Sequence, residues 1–306
     1  MKLDCRRINL FIGEPNTGKS NILEALGFLS HLYGHGGRFA SIRDFIRMED
    51  MTNLFYERDY TKPIKISVDE KNIEVRQSVD LLYVYADEEN IGDYDLSGGS
   101  SLVMRISSLN FPAVNFYRFK IMRTFPEKFS EFLLPPHGDN LLKILVDNKE
   151  LRRLVGDIFG KYGLKLVLKP LESRMEVMRE AEGIAISYPY DITSETLQRL
   201  IFHFCAVKTV KNATITFEEP EAHSFPYYTK YLAELIALNK DNQFFISTHN
   251  PYFLLSVVEK APKEDTAVFL TYYEDYQTKV KLLKHEDILE LEHDIFFELP
   301  KILKKG

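Results

Sequence analysis

The chain has 306 residues, of which 45% are apolar and 27% charged, and this is the composition of a globular protein large enough to bury a core. Two cysteines, Cys5 and Cys205, are too few for a disulfide framework, and the absence of a CxxC pair argues against a structural zinc site. The net charge of −6 argues against a surface coated with basic residues for nucleic acid. No run of membrane-spanning length and no signal peptide is predicted, so we expect a cytoplasmic protein without a membrane partner.

Residues 7–160 are predicted to contain strands, helices and a surface loop. An apolar strand is predicted at residues 7–13 and a helix from Lys19 to about Tyr33. Residues 63–86 alternate apolar and polar side chains, which is typical of an antiparallel sheet. The Gly-rich residues 90–101 are expected to form a surface loop. Residues 126–160 have helical character that is interrupted at LLPPHGDN, because two prolines and a glycine force a turn.

Basic residues are concentrated in the middle of the chain. Between Ser100 and Pro170 there are 12 basic and 6 acidic residues, with clusters at YRFKIMR (117–123) and KELRR (149–153). The commoner interpretation is a solvated helical face. The alternative is a weak electrostatic binding surface for the phosphate backbone of DNA.

From Ser194 onward, helices and strands alternate regularly. One helical face is predicted at Leu197, Leu200, Ile201 and Phe204, and further helices are expected after Pro226 and Pro251. The predicted strands are residues 213–217, 243–247, 266–273 and 279–283. This alternation predicts an α/β fold in which the strands are largely parallel.

The segment GEPNTGKS, which follows the first strand and precedes the first helix, fits the Walker A pattern GxxxxGK[ST]. Its glycines allow the loop to wrap so that backbone N–H groups point inward, and the helix that follows adds its positive N-terminal end. A glycine turn that matches the pattern by chance is the alternative. The predicted nucleotide-binding residues of this loop are Gly13, Glu14, Pro15, Asn16, Thr17, Gly18, Lys19 and Ser20. In such a loop Lys19 reaches the β- and γ-phosphate oxygens of ATP, and Ser20 is a ligand of Mg²⁺.

A later strand ends in the acidic sequence Glu218-Glu219-Pro220-Glu221. Carboxylates crowded at a strand end repel one another, so a cation or a functional role is expected to compensate. In a P-loop ATPase the first acid of a Walker B strand holds Mg²⁺ and the second polarises the water that attacks the γ-phosphate. Glu218 and Glu219 suit these two roles by their order. The alternative is a solvated acidic turn that begins a helix.

The next strand ends in the sequence FFISTHNP, which places His249 after Ser247 and Thr248. A neutral imidazole in this place is able to hydrogen-bond a γ-phosphate oxygen. A helix-capping or buried structural histidine is the alternative interpretation.

These three motifs, in this order, resemble the ABC-type, AAA-labelled ATPase heads of the RecF, SMC and OLD group, over about residues 7–33 and 190–275. The resemblance implies one ABC-type P-loop NTPase domain over residues 1–306, with a mixed sheet and helices and an inserted antiparallel and helical lobe at about residues 95–180. It also implies that Lys19, Glu219 and His249 are catalytic and that Ser20 and Glu218 bind Mg²⁺. Glu218 departs from the aspartate that this group normally has there.

Heads of this group usually pair on ATP, and each offers a signature segment to the γ-phosphate bound by the other. The matching stretch is YDITSETLQRL (190–200), in which Ser194 at a helix N-terminus is the candidate phosphate clamp and Thr193 is a weaker one. The usual glycine pair is absent from this stretch. Glu195 is expected to point away from the γ-phosphate, because a carboxylate facing it is repulsive.

Two functions are compatible with these motifs. The first is a Mg²⁺-dependent ATPase that forms a homodimer on ATP and separates on hydrolysis. The second is a non-hydrolysing, nucleotide-gated switch that regulates a partner protein. A transporter's ATP-binding subunit is a third and weaker alternative, because its two phosphate motifs are normally closer together. The resemblance implies DNA or a separate nuclease or effector subunit as possible partners. Neither a coiled coil nor a nuclease domain is recognised in the sequence, so we expect any nuclease to be another chain.

Overall fold

The computed structural model describes residues 1–35, 40–129 and 131–291. Within this part the chain forms two compact units. The first contains Met1–Leu23 and the chain from Tyr117 onward, and the second contains Glu24–Phe116. The predicted lobe at about residues 95–180 overlaps both units and stays a prediction.

The regular elements agree in most places with those expected from the sequence. The strands are β1 (Ile8–Gly13), β2 (Ile64–Val68), β3 (Lys71–Ser78), β4 (Leu81–Ala86), β5 (Glu89–Asp95), β6 (Val114–Tyr117), β7 (Leu164–Lys169), β8 (Arg174–Ala181), β9 (Ile184–Pro189), β10 (Thr214–Glu218), β11 (Gln243–Ser247), β12 (Thr266–Glu274) and β13 (Gln277–Leu283). The α-helices are α1 (Lys19–Tyr33), α2 (Ile42–Phe45), α3 (Leu141–Asp147), α4 (Lys149–Gly160), α5 (Glu195–Thr209), α6 (Pro226–Leu238), α7 (Pro251–Lys260) and α8 (His285–Leu291).

The first unit is organised around a mixed sheet in the order β13-β12-β1-β11-β10. β1 pairs in parallel with both β12 and β11, β11 pairs in parallel with β10, and β13 is antiparallel to β12. The register places Phe11 opposite Ser247 and Ser247 opposite Glu218. The carboxyl ends of three neighbouring strands therefore meet at one edge of the sheet. The predicted α/β fold with a mixed sheet is confirmed.

The central strands are buried because apolar side chains cover both of their faces, which is the usual pattern of a parallel sheet between helices. Fully buried side chains of this sheet are Ile8, Leu10, Ile12, Ile215, Phe217, Phe244 and Ile246. Helix α5 buries the predicted face, which consists of Leu197, Leu200, Ile201 and Phe204. A second sheet in the same unit, β7-β8-β9, is antiparallel, and its individual strands were not predicted.

The second unit contains the antiparallel sheet β2-β3-β4-β5. The predicted alternation over residues 63–86 is confirmed, since it forms β2, β3 and β4. The prediction of a loop over residues 90–101 is wrong in its first half, where β5 pairs with β4. Ile91 and Tyr94 are fully buried, and this burial outweighs the loop-forming tendency of the neighbouring glycine and aspartates.

The remaining differences concern helices. The helical character predicted for residues 126–160 is found only from Leu141, in α3 and α4. No helix within the described ranges has the length and the apolar content that a membrane crossing requires.

Replacing Ile246 by alanine tests whether β11 is the buried centre of the sheet. Ile246 is fully buried, so we expect the free energy of unfolding to fall by about 2–5 kcal/mol. The fully exposed Leu171 is the control, and its replacement by alanine is expected to change stability by at most about 0.5 kcal/mol. Urea unfolding measures both variants. An equal loss for the two variants contradicts the burial of β11.

Candidate active site

The loop between β1 and α1 is held tightly against the neighbouring strands. A Cβ atom added to Gly13, whose φ is 147°, would lie 2.3 Å from the backbone oxygen of Thr271. A Cβ atom added to Gly18, whose φ is 92°, would lie 2.1 Å from Oγ1 of Thr278. The Thr17 hydroxyl lies 2.7 Å from the Thr271 hydroxyl. Gly13 and Gly18 therefore have backbone conformations and close neighbours that a larger residue would not allow.

Lys19 is the first residue of α1, and its ammonium group lies inside the loop. The side chain donates to the backbone oxygens of Gly13, at 2.8 Å, and of Glu14, at 2.7 Å. Burial lowers the pKa of Lys19, and the negative charge of Glu219 partly opposes this shift. A buried ammonium held among loop carbonyls fits a loop that receives phosphate oxygens.

Ser20 and Glu218 are brought together although 197 residues separate them in the chain. The Ser20 hydroxyl donates to Oε1 of Glu218 at 2.6 Å. A hydroxyl and a carboxylate side by side are the oxygen ligands that Mg²⁺ prefers, so these residues fit the cation predicted for them. The longer side chain of Glu218, relative to the aspartate of the resembling heads, does not prevent this contact. The role of Glu218 in binding Mg²⁺, like the roles of the other predicted site residues, stays a prediction.

Arg118 is a residue of this site that the sequence analysis missed. Its guanidinium Nη2 lies 3.8 Å from Oε2 of Glu218, and its side chain is largely buried. Its backbone N–H donates to Pro136, and its backbone oxygen lies 2.8 Å from Nδ1 of His137, so the backbone on both sides is fixed. The sequence placed Arg118 in a basic cluster, and only the fold reveals that it faces Glu218.

Glu219 and His249 lie at the exposed side of the site. Nε2 of His249 is 3.5 Å from Oε1 of Glu219, and the two side chains are 39% and 47% exposed. Glu219 has a left-handed backbone with a φ of 44°, and its N–H donates to Ser247 on the neighbouring strand. Burial lowers the pKa of His249, the charge of Lys19 lowers it further, and Glu219 opposes both effects. The net shift favours the neutral form of the imidazole.

Glu221 and Thr248 form a buried pair behind Glu219 and His249, and this pair was also missed. Glu221 is 6% exposed and Thr248 is fully buried. The Thr248 hydroxyl donates to Oε1 of Glu221 at 2.6 Å. Burial raises the pKa of Glu221 to about 7, while the bond from Thr248 opposes the shift and Glu219 adds to it. In the sequence Glu221 is visible only as the third acid of EEPE, and no spacing rule distinguishes it from a solvated glutamate.

Ser194 is the N-cap residue of α5, and it is exposed without a side-chain capping bond. The Thr193 hydroxyl donates instead to the backbone oxygen of Tyr190 at 2.6 Å. Glu195 accepts from Arg199 at 2.8 Å, one turn along the helix, and this bond is the main cause that lowers the pKa of Glu195. The Glu195 carboxylate, which would repel a phosphate bound at Ser194, is thus paired with the guanidinium of Arg199. The role of Ser194 stays a prediction.

The chain has the fold of SMC head domains. One similar structure is the SmcHead bound to the C-winged helix domain of ScpA, with a TM-score of 0.51, 18% identity and coverage of 92% of this chain and 91% of that one. Another is the Smc head domain with an extended coiled coil bound to the C-terminal domain of ScpA derived from Pyrococcus furiosus, with a TM-score of 0.53, 15% identity and coverage of 94% and 92%. No protein-family model matches the chain, and no curated protein sequence matches it. At these identities the similarity establishes the fold of an SMC head alone, and the relation to RecF and OLD proteins stays a prediction.

Replacing Glu221 by glutamine tests the electrostatics of the buried pair. The pKa of Glu221 is raised from an ordinary value of 4.5 to about 7, so the folded state binds more protons than the unfolded state between these values. Ionisation of Glu221 therefore lowers the free energy of unfolding as the pH rises from 4.5 through 7. By pH 8 this loss amounts to about 3 kcal/mol.

We expect Glu221→Gln to be more stable than the wild type at pH 8 and to differ little from it at pH 5. Urea unfolding of the nucleotide-free protein at both pH values measures the difference. The exposed Glu264→Gln is the matched control and should follow the wild type at both. A Glu221→Gln variant whose stability changes with pH in parallel with the wild type contradicts the burial of an acid with a raised pKa.

Proposed function

We propose that this protein is a Mg²⁺-dependent ATPase head that binds ATP in the loop from Gly13 to Ser20 and hydrolyses it. The observation that carries the proposal is the convergence of two pairs at neighbouring strand ends. The Ser20 hydroxyl and the Glu218 carboxylate lie 2.6 Å apart, and Glu219 lies 3.5 Å from His249. Lys19 is within the electrostatic reach of Glu219 and His249, since it affects the pKa of His249 and is itself affected by Glu219.

The residues of the loop are suited to hold the phosphates. Asn16 and Gly18 have positive φ values of 61° and 92°, and alternation of this kind turns backbone N–H groups toward an anion. Lys19 supplies a fixed positive charge for the β- and γ-phosphates. Ser20 and Glu218 would hold Mg²⁺, which when bound neutralises charge that develops on the phosphate oxygens.

Glu219 is suited to act as the general base because it is exposed enough to contact a water molecule. It would take one proton from that water as the oxygen forms a bond to the γ-phosphorus, and the bond to the β–γ bridging oxygen would break to release ADP. His249, whose neutral form is favoured by burial, would donate a hydrogen bond to a γ-phosphate oxygen. Glu219 and His249 are close enough to act on the same phosphate group.

We propose further that two copies pair on ATP through the start of α5. Ser194 is exposed there, and Ile192, two residues earlier, is 66% exposed. The N–H groups at the start of this 15-residue helix are oriented to bind an anion. Both similar SMC heads are bound to part of ScpA, and by analogy we propose that this head also acts with a partner. The candidates are DNA and a separate nuclease or effector subunit.

A non-hydrolysing switch is the second candidate function, and the position of Arg118 favours it. A guanidinium 3.8 Å from Glu218 competes with a metal ion for the same carboxylate. A weak metal site permits nucleotide binding and slows cleavage. The two candidates differ in whether phosphate is released.

Replacing Glu219 by glutamine separates the two candidates. Glutamine keeps the size of the side chain and cannot accept a proton, so we expect kcat for phosphate release to fall at least about 100-fold. The KM for ATP should change less than about threefold, because the substitution removes an interaction of the transition state only. A steady-state phosphate-release assay with ATP and Mg²⁺ measures both, with Glu264→Gln as control. Release at background level from the wild type supports the switch, and an unchanged rate in Glu219→Gln contradicts the role of Glu219.

Replacing Arg118 by glutamine tests the competition for Glu218. Loss of the positive charge leaves the carboxylate more available, so we expect the Mg²⁺ concentration for half-maximal binding of a fluorescent ATP analogue to fall about threefold to tenfold. Arg123→Gln is the matched control, because Arg123 pairs with Asp191 at 2.9 Å and not with the acidic strand end. A requirement for more Mg²⁺ in Arg118→Gln contradicts the competition and indicates that Arg118 assists nucleotide binding.

A further inference from the structure

The segment that carries His249 is anchored on the residues before and after it. The backbone N–H of Thr248 donates to the backbone oxygen of Phe11, on the strand that leads into the phosphate loop, at 3.1 Å. The backbone N–H of Asn250 donates to the Thr248 hydroxyl at 3.0 Å. Asn250 in turn caps α7 by accepting from the backbone N–H groups of Tyr252, at 2.9 Å, and Phe253, at 3.1 Å.

The Thr248 hydroxyl is the centre of this arrangement. A hydroxyl has one hydrogen to donate and two lone pairs to accept with. Its oxygen accepts from the backbone N–H of Asn250, and its hydrogen is donated to Oε1 of Glu221 at 2.6 Å. Thr248 is fully buried and Glu221 is 6% exposed, so water is not available to replace a lost partner.

Backbone hydrogen bonds fix the turn that contains Glu221. It lies in the turn after β10, where the N–H of Ala222 donates to the oxygen of Glu219 and the N–H of Ser224 donates to the oxygen of Glu221, each at 3.0 Å. The N–H of Glu219 donates to Ser247 at 3.0 Å, which ties this turn to the end of β11. The carboxyl group of Glu221 therefore bridges the turn that carries Glu219 and the segment that carries His249.

We propose that Glu221 is a positioning residue for His249. Through the Thr248 hydroxyl it holds the backbone on which His249 is carried, and so it fixes the 3.5 Å spacing between the imidazole and Glu219. The effect on turnover rests on the proposed function of His249, whereas the effect on the backbone does not.

The chemistry of a buried acid is suited to this task. The bond requires only an oxygen acceptor, and a carboxylate, a neutral carboxylic acid and a glutamine amide all offer one. Burial raises the pKa of Glu221 to about 7, so both protonation forms are present near neutral pH, and each is able to accept from Thr248. A glutamine at this position should keep the arrangement, while an alanine should release it.

The backbone effect is tested in the nucleotide-free protein by hydrogen exchange of the amides of His249 and Asn250. We expect Glu221→Ala to accelerate exchange at these amides at least about tenfold, because the Asn250 amide loses its fixed acceptor. Glu221→Gln and the control Glu264→Gln should exchange as the wild type does, and amides in the middle of α7 should be unaffected. Unchanged exchange at Asn250 in Glu221→Ala, or equal acceleration throughout α7, overturns the proposal.

The functional effect is tested by phosphate release and by binding of a fluorescent ATP analogue. We expect kcat to fall at least about tenfold in Glu221→Ala and in Thr248→Val, with the KM for ATP changed less than about threefold, and Glu221→Gln to retain at least about half of the wild-type kcat. The double variant should be no slower than either single variant, because both changes break one chain of hydrogen bonds. Additive losses, or a loss in Glu221→Gln equal to that in Glu221→Ala, overturn the proposal.

The two tests separate failure of this proposal from failure of the proposed function. If the wild type releases no phosphate, the ATPase proposal fails, and the exchange measurement still decides the role of Glu221. If the wild type is active and exchange at Asn250 is insensitive to Glu221→Ala, the ATPase proposal stands and the positioning role is refuted.

Discussion

The parallel pairing of β1, β11 and β10 is the constraint on which the candidate site depends. Parallel strands bring their carboxyl ends to the same edge, and here this edge carries the loop from Gly13 to Ser20, the Thr248–His249 segment and the acidic turn. The register is tight at the edge itself, because Ser247 lies between Phe11 and Glu218. A slip of one residue would turn each of these side chains to the other face of the sheet. The apolar core that fixes the register therefore also fixes the chemistry.

The negative charges of the acidic turn are compensated by different neighbouring groups. Glu218, Glu219 and Glu221 are spaced closely at one strand end, and each has a different compensation. Glu218 faces the Ser20 hydroxyl and the Arg118 guanidinium, Glu219 faces His249, and Glu221 is buried and accepts from Thr248. The three acids thus have separate environments, and separate environments allow separate roles for chemically identical groups.

The comparison of sequence with structure shows which signals are local. The phosphate loop is recognisable in the sequence because its glycines, lysine and serine are consecutive, and the acidic turn and His249 each follow a strand with a clear apolar pattern. Arg118 was misjudged because a cluster of basic residues is typical of a solvated surface, and its contact with Glu218 is set by tertiary folding. Strand β5 was missed because its burial depends on pairing with β4 and not on its own composition. The same limit applies to Glu221, whose burial and contact with Thr248 are set by tertiary folding and have no local sequence signature.

The central claim is that one triphosphate meets Lys19, a metal held by Ser20 and Glu218, and the pair Glu219 and His249. A crystal structure of the Glu219→Gln variant with ATP and Mg²⁺ tests it most directly. The account predicts a triphosphate along the loop from Gly13 to Ser20, a metal ion about 2.1 Å from the Ser20 hydroxyl, and His249 at the γ-phosphate. A nucleotide bound away from this loop, or a metal ion remote from both Ser20 and Glu218, would contradict it.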